Sequence, residues 1–210
     1  MAYKIVETQE RHIDRIVDVH IKAFPNFFQT FLGPRFLKES YKSYIYDKTC
    51  INFVAEDDQT HDVLGFIAGP LMPAGYFKKL FKKRWYAFCL AGIVAVLKRP
   101  MIIKRLFRAM FFRGNAPPGL QRALLGSIAV SPMAQGQGVG KALVERWVEE
   151  VWCRGGTGCY LTTDAENNEK VNRFYQKLGW KIESTYTTPE GRVMNRYILD
   201  MPQNAKSNQK

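Results

Sequence analysis

Residues 135–141, in the second half of the chain, have the types and spacing of a phosphate-binding turn. They are Gln-Gly-Gln-Gly-Val-Gly-Lys, preceded by an apolar run at 124–130 and followed by helically spaced apolar residues at 139–152. A strand, a glycine-rich turn and a helix in this order leave unpaired N–H groups at the positive end of the helix dipole. The glycines permit backbone conformations that other residues adopt only at a cost. The sequence therefore predicts a site for a phosphorylated cofactor at this turn.

The spacing of the turn excludes two common phosphate loops. A nucleoside-triphosphate loop needs Ser or Thr after its lysine, whereas Ala142 follows Lys141 here. A dinucleotide loop needs two residues between its last two glycines, and this turn has one. The pattern that fits is [Gln/Arg]-x-x-Gly-x-[Gly/Ala], which Gln135, Gly138 and Gly140 fill.

A second pattern lies about 30 residues further on. It runs Asn168-x-x-Val171-x-x-Phe174-Tyr175-x-x-x-Gly179-Trp180. Together the two patterns resemble the GNAT superfamily of N-acetyltransferases over residues 120–201, and the N-terminal half resembles it in element order only. Val171 and Trp180 are mild departures, because alanine and phenylalanine are common in the family at those places.

The resemblance implies an acetyl-CoA-dependent enzyme with an α/β (α+β) fold. Its mostly antiparallel central sheet is flanked by helices, and it opens between the strand before the phosphate turn and the strand at 159–163, where the pantetheine arm enters. Acetyl-CoA is then the acyl donor. The residues expected to bind it are Ile128, Ala129, Val130, Gln135, Gly136, Gln137, Gly138, Val139, Gly140, Lys141, Asn168 and Tyr175.

Two of these residues have an alternative interpretation. By motif position Tyr175 matches the family's general acid, and a phenol with a pKa of about 10 suits donation to a departing thiolate. The alternative is a tyrosine that only packs on the cofactor. Asn168 matches a ligand of the pantetheine arm or of an ordered water, and it serves equally well as a helix cap.

The general base is the least determined residue. Asp164 lies on the expected acceptor side, just beyond the strand at 159–163, and is the predicted base, although a carboxylate there is commonly a turn residue. Glu56, Asp57 and Glu166 are the other candidates. His20 falls within the apolar rhythm of the first predicted helix and is expected in the core.

Composition favours one domain of ordinary globular character. We expect an acetyltransferase domain at 1–202, a helical basic insertion at 72–120 and a flexible tail at 203–210. The four cysteines show neither Cys-x-x-Cys spacing nor a disulfide framework, which predicts a reducing compartment and no metal site. The first residues contain no apolar signal core, so a cytoplasmic protein is expected.

Periodicity and turn residues predict alternating elements along the rest of the chain. Thr8 is expected to cap a helix that ends near Phe24. The predicted strands are 4–7, 51–56, 63–71, 124–130, 159–163, 181–188 and 192–201, and a second pair of helices covers 27–45 with a break at Gly33-Pro34. This is the order of elements in the acetyltransferases.

The basic insertion holds nearly all of the net charge. Residues 77–113 contain eleven Lys or Arg and no Asp or Glu, while the remaining 20 basic residues nearly balance the 19 acidic ones. Their basic clusters flank an apolar run at 85–97, which is too short to span a bilayer. Contact with an anionic membrane at the inner face is predicted. A lid over the active site is the alternative, and nucleic acid is disfavoured because the run is aliphatic.

These observations predict transfer of an acetyl group to a primary amine by direct attack. A basic, aromatic lid suits an anionic acceptor, and an amino sugar on a nucleotide or lipid carrier is the first choice. A protein N-terminus or lysine is the alternative acceptor. The non-enzymatic alternative is an acyl-CoA-binding module tethered to membrane or RNA. Acyl chain length and oligomeric state are left open.

Overall fold

The computed structural model describes residues 2–25, 28–98 and 122–202. Two short 3-10 helices (Glu10–His12 and Pro132–Ala134) accompany the longer elements. In chain order the strands and α-helices are β1 (Tyr3–Glu7), α1 (Ile13–Ala23), α2 (Phe28–Phe31), α3 (Pro34–Tyr46), β2 (Cys50–Asp57), β3 (Val63–Pro70), α4 (Tyr76–Lys98), β4 (Ala123–Leu124), β5 (Ser127–Val130), α5 (Val139–Cys153), β6 (Gly158–Asp164), α6 (Glu169–Lys177), β7 (Lys181–Thr187) and β8 (Val193–Asp200).

The described strands form two four-stranded sheets. The first has the order β1-β2-β3-β5 and is antiparallel throughout. The second has the order β4-β6-β8-β7, in which only β4 and β6 are parallel. The prediction of a mostly antiparallel sheet flanked by helices is confirmed.

The two sheets join where the chain passes from β4 to β5. The N–H of Leu125 donates to the carbonyl of Tyr160 in β6 at 2.9 Å, and the N–H of the next residue, Gly126, donates to Ala68 in β3 at 3.0 Å. The predicted single strand at 124–130 is therefore two strands, because adjacent residues bond to opposite neighbours. Beyond this point β5 stays with β3, and a wedge opens between β5 and β6.

Gly69 permits the close crossing at the head of this wedge. A Cβ on Gly69 would lie 1.9 Å from the carbonyl oxygen of Leu124. No side chain fits at that distance, so β3 requires a glycine at the point where β4 turns into β5. The requirement comes from a long-range contact, and no local pattern in the sequence reveals it.

The pairing of β5 determines which of its groups face the wedge. Ser131, just after the strand, donates its N–H to Leu64 in β3 at 2.8 Å. Since successive residues of an antiparallel pair alternate in direction, Ser127 and Ala129 also direct their backbone groups toward β3. The N–H and C=O groups of Ile128 and Val130 consequently point away from β3, toward the wedge.

Helices cover the sheets through two cores. One core lies between the sheets and α5 and includes Trp147, whose side chain is fully buried and donates to the carbonyl of Ile51 at 3.1 Å. The other lies under α1 and α3 and includes Phe66 and Ala129 of the first sheet. Residue alternation along β5 thus places Ser127 and Ala129 on the α1/α3 face and leaves Ile128 and Val130 on the α5 face.

The first helical segment begins differently from the prediction. Thr8 was expected to cap it, but Thr8 extends the strand pairing by donating its N–H to Asn52 at 3.1 Å. The cap is formed instead by Gln9 and His12, whose Nδ1 accepts the N–H of Gln9 at 3.0 Å. A histidine can replace the usual acidic residue at this place because its unprotonated ring nitrogen is an acceptor.

The described part of the insertion is the helix α4, which runs antiparallel to α3. Tyr76 stacks on Tyr44 with ring centroids 6.0 Å apart, and Phe88 packs on Phe36 at 5.2 Å. Between them Arg84 donates to Glu39 at 2.7 Å, at a kink where its backbone is not helical. No helix in the described ranges is long and apolar enough to cross a bilayer. The predicted basic residues from Arg99 to Arg113 lie outside the described residues.

Candidate active site

The predicted phosphate turn leads directly into α5. Gly136 and Gly138 both have a positive φ, of 80° and 82°, which glycine adopts without steric cost. The first helical bond is from the N–H of Ala142 to the carbonyl of Gly138 at 3.0 Å. The N–H groups of residues 139–141 therefore have no acceptor within the helix, and no acidic side chain lies in its first turn. The turn and the start of the helix form the positive, N–H-lined site that a phosphate requires.

Gly140 brings three elements together at the mouth of the wedge. A Cβ at this position would lie 3.5 Å from Cγ2 of Val130 on β5 and 3.7 Å from the ring of Phe174 on α6. The first turn of α5 therefore approaches both sides of the wedge closely. Phe174 was quoted for its place in the second motif but was not expected at the site. Only the packing of α6 against α5 shows that the Phe174 side chain faces the wedge.

Tyr175 lies beneath this region and is only 4% exposed. Its ring centroid is 5.8 Å from that of Trp180 and 5.9 Å from that of Tyr197. Burial raises the pKa of the phenol above its usual range, so the hydroxyl keeps its proton at neutral pH. The hydroxyl makes no hydrogen bond to the described part of the chain. Both predicted roles, acid and packing residue, are compatible with this placement, and the role stays a prediction.

Asn168 begins α6 without capping it through its side chain. Its amide group donates to Oγ1 of Thr163 at 2.9 Å and to the carbonyl of Asp164 at 3.0 Å. Within the described residues, the Asn168 side chain accepts no hydrogen bond from the backbone N–H groups of the first turn of α6. Of the two alternatives, the helix cap is fulfilled by the backbone alone: Asn168 is the N-cap residue and accepts the N–H of Asn172 at 3.0 Å, while its amide nitrogen is bound to the end of β6. A ligand role for its amide oxygen stays a prediction.

Asp164, the predicted base, is held by an ion pair. Arg192 donates two hydrogen bonds to Oδ1 and one to Oδ2, at 2.7–3.0 Å. This bidentate arrangement connects β6 to the turn before β8, since Ala165 also donates its N–H to Val193 at 2.9 Å. The pairing favours a structural role for Asp164 over proton transfer.

The other carboxylate candidates are also occupied or exposed. Asp57 accepts the N–H groups of Gln59 and Thr60, both at 2.9 Å, and these bonds lower the pKa of its carboxyl while they hold the β2–β3 turn. Glu166 is exposed on the loop before α6. Glu56 is buried and is surrounded by basic side chains and histidines.

Glu56 is 1% exposed and contacts four side chains at the end of β2. Nδ1 of His61 lies 2.6 Å from Oε1, while Arg11 and His12 donate to Oε2 at 2.9 and 3.2 Å; Lys4 lies 3.7 Å away. The hydrogen bond from His61, followed by the hydrogen bond and charge of Arg11, lowers the pKa of Glu56 to about 2. Burial lowers the pKa of His12, in agreement with a neutral ring that accepts at Nδ1 and donates at Nε2.

We expect Glu56→Gln to destabilise the protein by about 1–3 kcal/mol, because it leaves buried donors without their anionic acceptor. The sign of the pH dependence follows from the lowered pKa. The Glu56 carboxylate stabilises the folded protein fully at pH values above the pKa of this carboxyl in the unfolded chain, near 4.5. This stabilisation is lost as the pH falls toward the folded-state pKa of about 2. Urea denaturation of wild type and Glu56→Gln should therefore differ at pH 7 and converge only as the pH falls to about 2. A constant difference across this range would contradict the assignment.

A chain of three polar groups reaches the head of the wedge from the buried side. Nδ1 of His20 on α1 lies 2.6 Å from the hydroxyl of Tyr41 on α3, which lies 3.2 Å from Oγ of Ser127 on β5. His20 is 1% exposed, in line with its expected place in the core. Neither the hydroxyl of Tyr41 nor that of Ser127 was expected at the site. Their positions are 86 residues apart, and no spacing in the sequence reports such a contact.

The sequence also matches a known protein family. Residues 13–180 match the model of the acetyltransferase (GNAT) family. The chain belongs to this family, and it is an N-acetyltransferase whose family generally uses acetyl-CoA as the acyl donor. A comparison with curated proteins gave no match.

Solved structures of similar fold act on diverse amines. An aminoglycoside 6'-acetyltransferase type Ii is 18% identical with a TM-score of 0.63, over 95% of this chain and 99% of that one. The ribosomal-protein-S18-alanine N-acetyltransferase from Escherichia coli is 18% identical with a TM-score of 0.54, over 97% and 98%. Mutant forms of the spermidine/spermine N-acetyltransferase SpeG from Vibrio cholerae are 14% identical with a TM-score of 0.57, over all of both chains. These likenesses show the fold alone.

Proposed function

We propose that this chain transfers an acetyl group from acetyl-CoA to a primary amine by direct attack, without a covalent enzyme intermediate. The observation that carries the proposal is the wedge between β5 and β6 with the phosphate turn at its mouth. The turn lies at the C-terminal end of β5, and the strand's free backbone groups face the opening. The arrangement provides an anion site and a polar strand edge in one continuous line.

The residues of the wedge suit the parts of acetyl-CoA. The turn at 135–141 binds the pyrophosphate through its N–H groups. The N–H and C=O groups of Ile128 and Val130 pair with the pantetheine amides as a further strand would. When bound, acetyl-CoA supplies an activated acetyl thioester beside the first residues of β5. Phe174 and Val130 exclude water from the arm at the mouth.

Protein groups at the inner end of the wedge perform the chemistry. A backbone N–H of β5 polarises the thioester carbonyl, as a donor directed at a developing negative charge does. The Tyr175 hydroxyl donates its proton to the departing thiolate. Because burial raises its pKa, the phenol keeps its proton at neutral pH and is available as the donor.

An anionic acceptor agrees best with the surface charge. The exposed lysines of α4 add a positive field beside the α1/α3 face, and such a field raises the local concentration of anions. An amino sugar on a nucleotide or lipid carrier is the proposed acceptor. Thiol release should therefore be faster with nucleotide-linked amino sugars than with the same free sugars, and faster than with peptides. A preference for peptide N-termini would replace this acceptor with a protein.

Membrane association is a second proposal, supported by the outward face of α4. Four lysines are exposed on its first two turns, and Trp85, Tyr86 and Leu90 are 55%, 55% and 69% exposed after the kink. Exposed aromatic and aliphatic side chains beside lysines suit the interface of an anionic bilayer. Arg84, which was grouped with these cations in the sequence, is instead paired with Glu39.

We expect the protein to sediment with vesicles that contain anionic lipid, and to be partly released by high salt. Each basic residue near such a surface contributes about 1 kcal/mol, screened over about 10 Å at 0.1 M salt. Exchanging four lysines of α4 for glutamine should weaken sedimentation at least tenfold. They are Lys78, Lys79, Lys82 and Lys83.

The matched control changes four exposed lysines elsewhere. They are Lys22, Lys48, Lys177 and Lys181. This variant has the same net charge as the α4 variant, so a difference between the two reports position rather than total charge. If wild type shows no preference for anionic over neutral vesicles, the proposed contact with an anionic membrane is contradicted and the lid is favoured.

A further inference from the structure

The carboxylates near the wedge leave the removal of the amine proton without an evident acceptor. Asp164 is paired with Arg192, Asp57 holds a turn, and Glu56 is enclosed by His61, Arg11 and His12. A protonated amine must lose a proton before it attacks, and the attacking nitrogen must lose another before the amide forms. The His20–Tyr41–Ser127 chain is a polar path that leads from the head of the wedge into the protein core.

We propose that the hydrogen-bonded groups His20, Tyr41 and Ser127 receive the proton from the acceptor amine. Ser127 is the group that contacts the substrate. The proposal rests on the proposed acetyl transfer. Ser127 is the first residue of β5 after the sheets separate, and it is the partly exposed end of the chain. Tyr41 and His20 are 5% and 1% exposed, and they act through it. Tyr41 and His20 are therefore positioning and relay residues rather than catalytic ones.

The direction of the bound donor places the reacting atoms near Ser127. A pyrophosphate at the turn after β5 makes the arm run back along the strand, toward its N-terminal end. The thioester then lies beside the first residues of β5, and the Ser127 side chain projects to the α1/α3 face there. Since α5 covers the other face, the amine approaches on the side where Oγ of Ser127 lies.

The proton transfers balance along the chain. The amine nitrogen gives a proton to Oγ of Ser127, whose own proton passes to the Tyr41 oxygen, and the Tyr41 proton passes to Nδ1 of His20. This requires the His20 tautomer that carries its proton on Nε2. The nitrogen forms its bond to the acetyl carbon, the carbon–sulfur bond breaks, and the sulfur leaves with the electron pair and takes a proton from Tyr175. After the products leave, the proton on His20 returns along the same three groups to solvent at Ser127, and Tyr175 regains a proton from solvent.

The aromatic surroundings keep the geometry of the chain fixed. The His20 ring is 5.2 Å from Phe24 and stacks on Phe66 at 6.5 Å, and Phe66 also contacts Tyr41 edge-on at 4.9 Å. Such packing leaves the two hydrogen bonds few alternative arrangements. A proton relay needs this property, because each transfer occurs only between groups already in contact.

The test uses Tyr41→Phe and Ser127→Ala in the full chain, with Tyr76→Phe as the matched control and Ser127→Thr as the conservative variant. Ser127→Thr keeps the hydroxyl, and Tyr76→Phe removes a buried hydroxyl of α4 from the same core. We expect kcat to fall about tenfold or more in the first two variants, to fall less in Ser127→Thr than in Ser127→Ala, and to stay within about twofold in Tyr76→Phe. The Kd of acetyl-CoA should be unchanged in all four.

Two further measurements separate a relay from a packing role. The wild-type solvent isotope effect on kcat should depend nonlinearly on the deuterium fraction, as several moving protons require, and should shrink in Tyr41→Phe. In the resting protein the 15N signal of His20 Nδ1 should show hydrogen-bond acceptance and should shift in Tyr41→Phe. If Tyr41→Phe fails to fold, the Ser127→Ala and Ser127→Thr pair decides.

The failure of the relay differs from the failure of the proposed function. An active wild type with fully active Tyr41→Phe and Ser127→Ala variants, and unchanged isotope effects, would overturn the relay alone. A folded wild type that binds acetyl-CoA but transfers nothing to any amine would overturn the proposed function and the relay with it.

Discussion

The Gly138→Val variant is expected to lose about 100-fold or more in affinity for acetyl-CoA while it remains folded. Gly138 has a φ of 82° at the start of α5, a conformation that a β-branched residue adopts only with strain. Relief of that strain moves the N–H groups of residues 139–141 away from the pyrophosphate. Each lost hydrogen bond to a charged group removes about 1.5–3 kcal/mol, so the loss of one or two accounts for the expected effect. Isothermal titration calorimetry measures the change.

Backbone strain, and not a steric block, is the reason for this effect. A Cβ at position 138 would point to the Tyr3 hydroxyl, 3.6 Å away. The control is Gly155→Val, at the other end of α5, where φ is 78° and a Cβ would meet nothing within 4 Å. It imposes similar backbone strain and should leave the affinity for acetyl-CoA unchanged. Equal losses in both variants would show that strain in the helix, and not the turn, sets the affinity.

The Tyr175→Phe variant is expected to lower kcat by about tenfold or more with little change in the Kd of acetyl-CoA. The ring packing against Trp180 and Tyr197 survives the change, and only the proton donor is removed. Because burial raises the pKa of this phenol, Tyr175 stays protonated, and its deprotonation should cause no loss of kcat up to pH about 10. Stopped-time thiol assays across pH measure both quantities.

Tyr160→Phe is the matched control for this prediction. Tyr160 is a buried tyrosine on β6, and burial raises its pKa to about 12. Its loss should cost some stability and leave kcat within about twofold. A fully active Tyr175→Phe enzyme would make Tyr175 a packing residue, which is the other role that its position in the core allows.

Local patterns in the sequence predicted the elements that carry the site. The turn at 135–141, the helix after it and the strand at 159–163 have strong periodicity and turn residues, and the structure places them within one or two residues of expectation. The break of the 124–130 run was not predicted. It depends on the carbonyls of Tyr160 and Ala68, and on the space that Gly69 leaves, all distant in sequence.

Side-chain partners were the part that sequence could not supply. Asp164 was a sound candidate base by position, but Arg192 reaches it from 28 residues away. Glu56 was another candidate, but its partners come from β1, the first helical segment and the β2–β3 turn. Composition ranks such carboxylates equally, and only the folded arrangement shows which of them are neutralised.

Long-range polar contacts explain the remaining omissions. His20 was predicted from its helical rhythm to lie in the core, and it does, but the rhythm gives no information on Tyr41 or Ser127. Likewise the charge of Arg84 was added to a basic surface although it is paired with Glu39 on the neighbouring helix. A count of charged residues in the sequence overestimates the positive charge of a surface when helix packing pairs a basic residue with an acidic one, as it pairs Arg84 with Glu39.

The most direct test of the central claim is the transfer reaction itself, followed by thiol release and by the mass of the acceptor. Purified wild-type chain with acetyl-CoA and a panel of primary amines should release CoA thiol in step with an acceptor that gains one acetyl group, and Gly138→Val should do neither at the same donor concentration. Wild-type chain that binds acetyl-CoA tightly, yet releases no thiol with nucleotide-linked amino sugars, free amino sugars, polyamines or peptides, would contradict the assignment of an N-acetyltransferase.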